Sequence, residues 1–200
     1  RDGEARALHG MGTALLHAGE IDRAQEMLRA AIDLRQQTGV RREQAVSLIV
    51  LGRIERDVGN LKAAIDMHRQ AAGLVTAPND QARALLALTQ DYLAAGERAA
   101  ARATVTKILG LDLARLHRHR GLALTELGAL EALEGHAEQS GAAFASAIAI
   151  HQENGSELEL ARALHRRADA MMARDEVSAV LTDTDAALHL FEGIGLAGTQ

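Results

Sequence analysis

The chain has 200 residues, of which 48% are hydrophobic and 24% are charged, and this composition is typical of a folded globular protein. The sequence contains no cysteine, which excludes disulfides and thiolate metal sites, and no apolar run approaches the roughly 20 residues that span a bilayer. A formal net charge of -5 with one tyrosine, two phenylalanines and no tryptophan argues against nucleic-acid binding, which relies on basic faces and stacking rings.

The start of the sequence leads to two expectations, one about cellular location and one about the length of the whole protein. Since no charged and then apolar leader is seen, we expect a cytoplasmic protein. Since the sequence opens at Arg1 without an initiator methionine, we expect it to be a piece of a longer chain.

Apolar residues recur at helical spacing along the chain and predict ten helices in five pairs. Leu8, Met11, Gly12 and Leu15 fall at i, i+3, i+4 and i+7, and the same geometry returns after a break. The predicted pairs are, in chain order, 3–18 with 21–37, 42–58 with 61–75, 80–95 with 97–110, 115–134 with 137–153, and 157–173 with 176–192.

Glycines interrupt the apolar pattern between the two helices of four pairs. They are Gly19, Gly59, Gly96 and Gly135. A helix that turns back on itself needs a left-handed residue at its C-terminus, which glycine adopts without a Cβ penalty. The fifth break has Asp175 instead, which predicts a looser turn.

The pairs form a repeat of 37 to 40 residues, as the spacing of these breaks shows. The same offsets align leucines in all five units, namely Leu8, Leu48, Leu85, Leu124 and Leu164. One helix hairpin cannot bury its apolar face alone, so stacking is expected. We therefore predict an all-α, right-handed α-solenoid of about five helix hairpins, forming a single domain over 1–200 with repeats near 1–40, 41–77, 78–116, 117–156 and 157–195.

A second set of glycines lies inside the first helices, where glycine costs roughly 0.5–1 kcal/mol relative to alanine. Gly12, Gly52 and Gly128 share one repeat position, and small residues such as Ala64 stand opposite. This predicts close helix approach. We expect leucine at Gly52 to cost about 1–3 kcal/mol and alanine there to be nearly neutral.

These columns resemble the tetratricopeptide repeat (TPR) family over essentially the whole chain, with repeats longer than the usual 34 residues. The residues that carry the resemblance are Leu8, Met11, Gly12, Leu15, Gly19, Ala24, Leu28 and Ala31 with their downstream counterparts. Segments such as "HRQAAGLV" are similar to the TPR arms of bacterial SARP-type antibiotic regulators and STAND-class ATPases. The departures are His68 and Arg167, where large apolar residues are expected, and Asp175.

No catalytic, cofactor or metal site is predicted. "GIGLAG" at 193–198 matches a dinucleotide fingerprint, but no strand precedes it, so we interpret it as a helix end and tail. His117 and His119 are two positions apart on a helix and cannot share one ion. His165 and Asp169 share a face but lack a third ligand. Glu131 and Glu134 are interpreted as part of a solvated face.

The resemblance implies that a ligand lies in a groove lined by the first helix of each unit. Projection of the repeat places mostly basic residues in this groove of an acidic protein, and an acidic or carboxylate-bearing peptide is the ligand that such residues favour. The candidate groove residues are Arg6, His9, Thr13, Arg53, Arg56, Arg83, Gln90, Arg162, His165, Arg166 and Asp169.

Two classes of function fit these observations. The first is a protein- or peptide-binding module, the sensor or docking arm of a bacterial transcriptional or signalling regulator, with no enzymatic activity, no cofactor and no contact with nucleic acid or membrane. The second is a structural or self-association arm. A repeat-built enzyme such as a phosphatase is a minor third alternative.

Overall fold

The computed structural model describes residues 1–112, 117–172 and 177–195, and these ranges contain ten helices and no strand. The helices are α1 Asp2–His17, α2 Ile21–Thr38, α3 Arg41–Asp57, α4 Leu61–Leu74, α5 Pro78–Ala94, α6 Arg98–Leu109, α7 His117–Leu133, α8 Ala137–Glu153, α9 Glu157–Met172 and α10 Val177–Gly193. The predicted all-α class and helix pairs are confirmed. The largest boundary differences are two residues, for example at α5, which was expected from 80 and begins at 78.

The turns inside the first four hairpins share one hydrogen-bonded geometry. Gly19 has φ of 79°, its N–H donates to Leu16 O, and the next N–H, of Glu20, donates to Leu15 O at 2.9 Å. This pair of bonds is the Schellman motif, which satisfies the last carbonyls of α1. Gly59, Gly96 and Gly135 repeat it with φ of 89°, 74° and 82°. The predicted left-handed glycines are confirmed, whereas Asp175 lies outside the described residues.

The glycines inside the first helices make room for large side chains of the second helices. A Cβ on Gly12 would lie 2.8 Å from Leu28 Cγ, and one on Gly128 would lie 2.8 Å from Phe144 Cδ2. A Cβ on Gly52 would lie 2.6 Å from Nε2 of His68. The expectation that alanine is nearly neutral at Gly52 is therefore wrong, because the space opposite is filled by a ring and not by the small neighbour Ala64.

The chain divides into two compact units. Unit 1, residues 1–104, contains α1 to α5 and the start of α6. Its hairpins contact one another in order, since α2 packs on α3 and α4 packs on α5, and the first helices α3 and α5 also touch. Leu28, Leu51 and Ile54 are completely or almost completely buried between them. Thr89 Oγ1 donates to Thr104 Oγ1 at 2.8 Å and links α5 to α6.

Unit 2, from residue 105, contains the hairpins α7 with α8 and α9 with α10. Helix α8 packs on α9, and the two first helices α7 and α9 are also in contact. Its core includes Leu130, Phe144 and Ile148. Within the described residues of both units, none of the helices combines the length and the apolar character needed to cross a membrane.

Candidate functional site

The first helices of unit 1 form the surface on which the candidate groove residues fall. Arg6 of α1, Val46 of α3 and Arg83 of α5 occupy one repeat position, and we call the side of α1, α3 and α5 that carries them the first-helix face. Polar contacts connect neighbouring helices of this face. His9 Nδ1 lies 2.9 Å from Ser47 Oγ, and Arg42 Nε donates to Asp80 Oδ2 at 2.7 Å.

Three arginines on this face are exposed and make no hydrogen bond or ion pair with any described residue. They are Arg6, Arg53 and Arg83. Many other arginines of the chain are engaged by carboxylates, including Arg42 with Asp80 and Arg167 with Asp183. The three guanidinium groups therefore keep all of their donors available.

The middle helix of the face presents apolar side chains between these arginines. Val46, Ile49 and Val50 of α3 are half-buried, and Ile49 and Val50 pack against the core of unit 1. Such a strip offers apolar contact to a ligand while the arginines around it offer charge. Gln90 is exposed beside them, and Thr13 is half-buried with its hydroxyl donating to His9 O at 2.9 Å.

A buried arginine stands behind the face. The Arg35 side chain is almost completely buried, and its Nη1 donates to Glu43 O at 2.8 Å and to Ser47 Oγ, while its buried Nε has no hydrogen-bond partner among the described residues. Burial lowers the pKa of Arg35, which Glu43 and Asp2 partly oppose. No carboxylate pairs directly with this guanidinium in the part of the chain that the structure describes.

His9 lies in a positive environment next to this arginine. Burial lowers the pKa of His9, and the charges of Arg35 and Arg83 lower it further. Arg35 belongs to α2 and Arg83 to α5, so the positive charges that act on His9 come from two other helices. This part of the first-helix face is electropositive even though the protein as a whole is acidic.

Unlike Arg6, Arg53 and Arg83, Arg56 already has partners for its guanidinium group. Its Nη1 donates to Asp91 Oδ1 at 3.2 Å and to Gln90 Oε1 at 3.2 Å. Asp91 is fully buried and also contacts Nδ1 of His68, whose Nε2 lies 3.1 Å from Ile49 O. The repeat pattern expects an apolar residue at His68, and the polar ring is satisfied by Ile49 O of its own hairpin and by Asp91 of the following one.

The candidate residues of unit 2 lie on α9. Arg162, His165 and Asp169 are exposed, and His165 Nε2 is 3.8 Å from Asp169 Oδ2. Arg166 is half-buried, and its Nη2 donates to Glu126 Oε2 of α7 at 2.7 Å. These residues belong to a different unit from the first-helix face.

Arg167 also departs from the repeat pattern, and the structure accounts for it. Its Nε and Nη2 donate to the two carboxylate oxygens of the buried Asp183 at 2.7 Å each. A bidentate pair of this kind satisfies both groups where two apolar residues are expected.

Within the described ranges, one group of side chains has ligand atoms close enough together to hold a metal ion. Carboxylate oxygens of Glu131 and Glu134 and a ring nitrogen of His136 lie within 4.8 Å of one another. The solvated-face interpretation of Glu131 is wrong, because its side chain is buried and one of its carboxylate oxygens lies 2.7 Å from His136 Nδ1. The equivalent Glu55 accepts from Asn60 Nδ2 at 2.9 Å. In both repeats, therefore, a glutamate near the end of the first helix bonds to the residue that directly follows the turn glycine.

The remaining motifs give no binding geometry in the part of the chain that the structure describes. His117 is exposed and His119 is buried, so the two rings point in different directions, as predicted. At the start of "GIGLAG", α10 ends at Gly193 and Gly195 has φ of 74°, which is typical of a helix end. Residues 196–198 of that motif lie outside the described residues.

Sequence reasoning missed the buried polar residues that support the face. Arg35 and Asp91 were not predicted, although each stands at a repeat position where other units carry apolar residues. The counterpart of Arg35 in the second unit is Val75, and that of Asp91 is Ile54. Every other unit carries an apolar residue at the position of Asp91, so a charge there is a signal that the sequence offers. The position of Arg35 also holds Asp112 and His151 in other units and gives no such signal.

The family model described as tetratricopeptide repeat matches residues 3–77, which form the first two hairpins. No curated protein sequence matches the chain significantly. A crystal structure of the putative kinesin light chain of Podosopora anserina, with nearly identical TPR-like repeats, is 15% identical and has a TM-score of 0.70, covering 97% of this chain and 98% of that one.

Two further solved structures match with higher TM-scores. Aspartyl phosphate phosphatase F from Bacillus subtilis is 15% identical with a TM-score of 0.78, covering 97% of this chain and 52% of that one. A Rap protein complexed with Competence and Sporulation Factor is 12% identical with a TM-score of 0.77, covering 94% of this chain and 54% of that one. This chain spans about half the length of these two proteins.

These comparisons confirm the resemblance inferred from the sequence. The tetratricopeptide repeat model matches residues 3–77, and a TPR-like fold extends over nearly the whole chain.

Proposed function

We propose that the chain is a protein- or peptide-binding module and that the first-helix face of unit 1 holds its ligand. The observation that carries the proposal is the set of exposed, unpaired guanidinium groups of Arg6, Arg53 and Arg83 around the half-buried apolar strip of α3. Charged side chains that serve only solubility do not need apolar neighbours. A binding surface combines apolar contacts with charged groups, as this face does.

The chemistry of the face favours an acidic segment with apolar side chains between its carboxylates. Guanidinium groups bind carboxylates through two parallel hydrogen bonds, and the positive field at His9 and Arg83 adds to the attraction. Valine and isoleucine side chains of α3 then contact the apolar residues of the ligand. Arg56 serves a supporting role in this proposal, since Asp91 already neutralises its charge.

On α9, the exposed Arg162, His165 and Asp169 are proposed as a second contact surface in unit 2. Arg166 is excluded from direct recognition because Glu126 holds it. Among the neighbours in fold, the Rap protein is crystallised with Competence and Sporulation Factor, which supports a ligand-binding role for this architecture.

We infer further that the module is the sensor or docking arm of a cytoplasmic bacterial regulator and has no catalytic activity of its own. The sequence has only two lysines, Lys62 and Lys107, among its 22 basic Lys and Arg residues, and this preference for arginine supports the bacterial context. The similarity of its segments to the arms of such regulators supports it as well. The alternative is a structural or self-association arm.

Binding to an array of acidic and neutral peptides tests the proposal. The double variant Arg53→Glu with Arg83→Glu should weaken binding of acidic peptides at least about tenfold, because attraction becomes repulsion at two contacts. The control Lys62→Glu with Lys107→Glu makes the same change in net charge at positions of the second helices α4 and α6.

The control is expected to bind as the wild type does. Equal loss in both variants would show that only net charge matters, and unchanged binding in the arginine variant would place the ligand elsewhere.

A further inference from the structure

The turn between α7 and α8 brings three side chains that can bind a metal ion together around Gly135. Nδ1 of His136 lies 2.7 Å from Oε2 of Glu131 and 3.7 Å from Oε2 of Glu134. The backbone of the turn is tied as well, since the N–H of His136 donates to Glu131 O at 2.9 Å. Two carboxylates and an imidazole nitrogen therefore converge on one point at the end of α7.

The turn itself does not require two of these three side chains. Turns of the same Schellman geometry form at Gly19, Gly59 and Gly96. In those turns, the residue before the glycine is Ala18, Val58 or Ala95, and the residue after it is Glu20, Asn60 or Glu97. A carboxylate before the glycine and a histidine after it therefore serve something other than the formation of the turn.

The two carboxylates stand at a helix end that disfavours negative charge. The carbonyl groups give the C-terminus of a helix a partial negative charge, and basic side chains in the last turn stabilise it. The last turns of the preceding first helices α1 and α3 carry His17 and Arg56, whereas residues 130–133 of α7 read "LEAL". Glu131 and Glu134 are also three positions apart, which makes two like charges neighbours on a helix. A cation bound between them offsets both unfavourable effects.

Burial and ligand type favour a transition metal over calcium or magnesium. Glu131 is buried, Glu134 is half-buried and His136 is exposed, so an ion can enter from the solvent side and reach a buried carboxylate. An imidazole nitrogen suits Zn²⁺, whereas Ca²⁺ and Mg²⁺ prefer oxygen ligands alone. Three protein ligands leave a fourth tetrahedral position of Zn²⁺ for water.

We propose that Glu131, Glu134 and His136 bind one Zn²⁺ ion, through an oxygen of each carboxylate and Nδ1 of the imidazole. The ion takes the place of the direct contact between Glu131 and His136 and joins the end of α7 to the start of α8. Because the ion binds the folded hairpin, it stabilises unit 2. The site is separate from the first-helix face, whose residues belong to unit 1.

Calorimetric titration of the chain with Zn²⁺ tests the inference. The wild type should bind one ion at this site, and His136→Asn and Glu134→Ala should each weaken that binding by at least about 10–100-fold, the loss that even supporting residues of metal sites cause. Both substitutions copy residues that the other turns accept. Asparagine is found at Asn60, where it bonds to Glu55 at 2.9 Å, and alanine at Ala95. Loss of Zn²⁺ binding in these variants is therefore not explained by a broken turn, and circular dichroism verifies their fold.

Two controls separate a built site from general attraction of cations to an acidic protein. His165→Asn removes an exposed histidine whose Nε2 lies 3.8 Å from Asp169 Oδ2, a pair without a third ligand, and should bind Zn²⁺ as the wild type does. Ca²⁺ in place of Zn²⁺ should bind at least about tenfold more weakly.

Three results would overturn the inference. They are a wild type that binds no Zn²⁺, Zn²⁺ binding that persists unchanged in His136→Asn and Glu134→Ala, and equal affinity for Ca²⁺. None of them bears on the binding of acidic peptides by the first-helix face, which the arginine variants test separately.

Discussion

Two buried histidines, one in each unit, occupy similar sites, but only one of them has hydrogen-bond partners. His68 and His151 are both fully buried, and each ring covers a glycine of the facing helix, Gly52 and Gly121, so closely that a Cβ there would lie 2.6 Å from a ring atom. Both nitrogens of His68 have acceptors, Asp91 and Ile49 O. Neither nitrogen of His151 has a partner among the described residues.

The comparison shows that a glycine on the facing helix provides space for a buried ring but no hydrogen-bond partner. Whether the buried imidazole stabilises the fold depends on the neighbouring hairpin, which provides Asp91 in unit 1 and, among the described residues, no equivalent carboxylate in contact with the ring in unit 2. Burial lowers the pKa of His151, Glu159 partly opposes the effect, and Arg118 adds to it. An unsatisfied buried ring is a cost to the fold, whereas a satisfied one is neutral or favourable.

The largest effect is expected from removing the partner of His68. Asp91→Leu should lower the free energy of unfolding by about 3–5 kcal/mol, because the buried His68 ring loses the carboxylate that it contacts. Leucine itself fits the column, since the equivalent residues are Ile54 and Leu130. The double variant His68→Leu with Asp91→Leu should recover most of the loss, because Leu28 occupies the same position in the first hairpin. Chemical denaturation of the four proteins of this cycle measures the coupling, and additive effects would contradict it.

A smaller effect is expected from filling the space beneath the ring. Gly52→Ala should cost about 1–3 kcal/mol, since its Cβ overlaps the imidazole of His68 and the ring cannot move without losing its bonds. Gly10→Ala is the matched control, because Gly10 is an exposed residue inside α1 where an added Cβ would have no other atom within 4 Å. That substitution should stabilise the protein by roughly 0.5–1 kcal/mol through helix propensity. Equal outcomes in thermal unfolding would contradict the steric argument.

The smallest effect is expected at the unsatisfied histidine, and it has the opposite sign. His151→Leu should stabilise unit 2 by about 1 kcal/mol, because a buried ring without partners is replaced by an apolar side chain of similar size. Two other units carry the apolar Val75 and Phe191 at this position, and the remaining two carry Arg35 and Asp112. Denaturant midpoints at neutral pH measure the difference, and a destabilised variant would show that the ring packs better than leucine.

The same substitution should alter the response to pH. Since the pKa of folded His151 lies below its ordinary value of 6.5, the unfolded chain takes up the proton first on acidification, and stability falls as the pH drops below about 6.5. Removal of the histidine should flatten the slope in that range, while the contribution of His9, whose pKa is also lowered, remains. Unfolding curves from about pH 7.5 to about pH 5 check this, and an unchanged slope would exclude His151 as its source.

The candidate site was predictable only in outline. Repeat equivalence located Arg6, Arg53 and Arg83 on the first helices, because positions separated by one repeat share a face in any stacked array. It did not distinguish them from Arg56, since the partner Asp91 comes from the following hairpin. The pairing of Arg166 with Glu126 was equally invisible, because those residues are 40 positions apart in the chain.

The sequence by itself determined the helices, their turns and their pairing, because apolar periodicity and left-handed glycines act within one or two helical turns of the chain. Only the tertiary structure decided which buried polar groups are satisfied, which arginines remain available and which apolar faces stay uncovered. Each of these depends on side chains brought together from successive hairpins, where the distance between two atoms is set by packing and not by their separation in sequence.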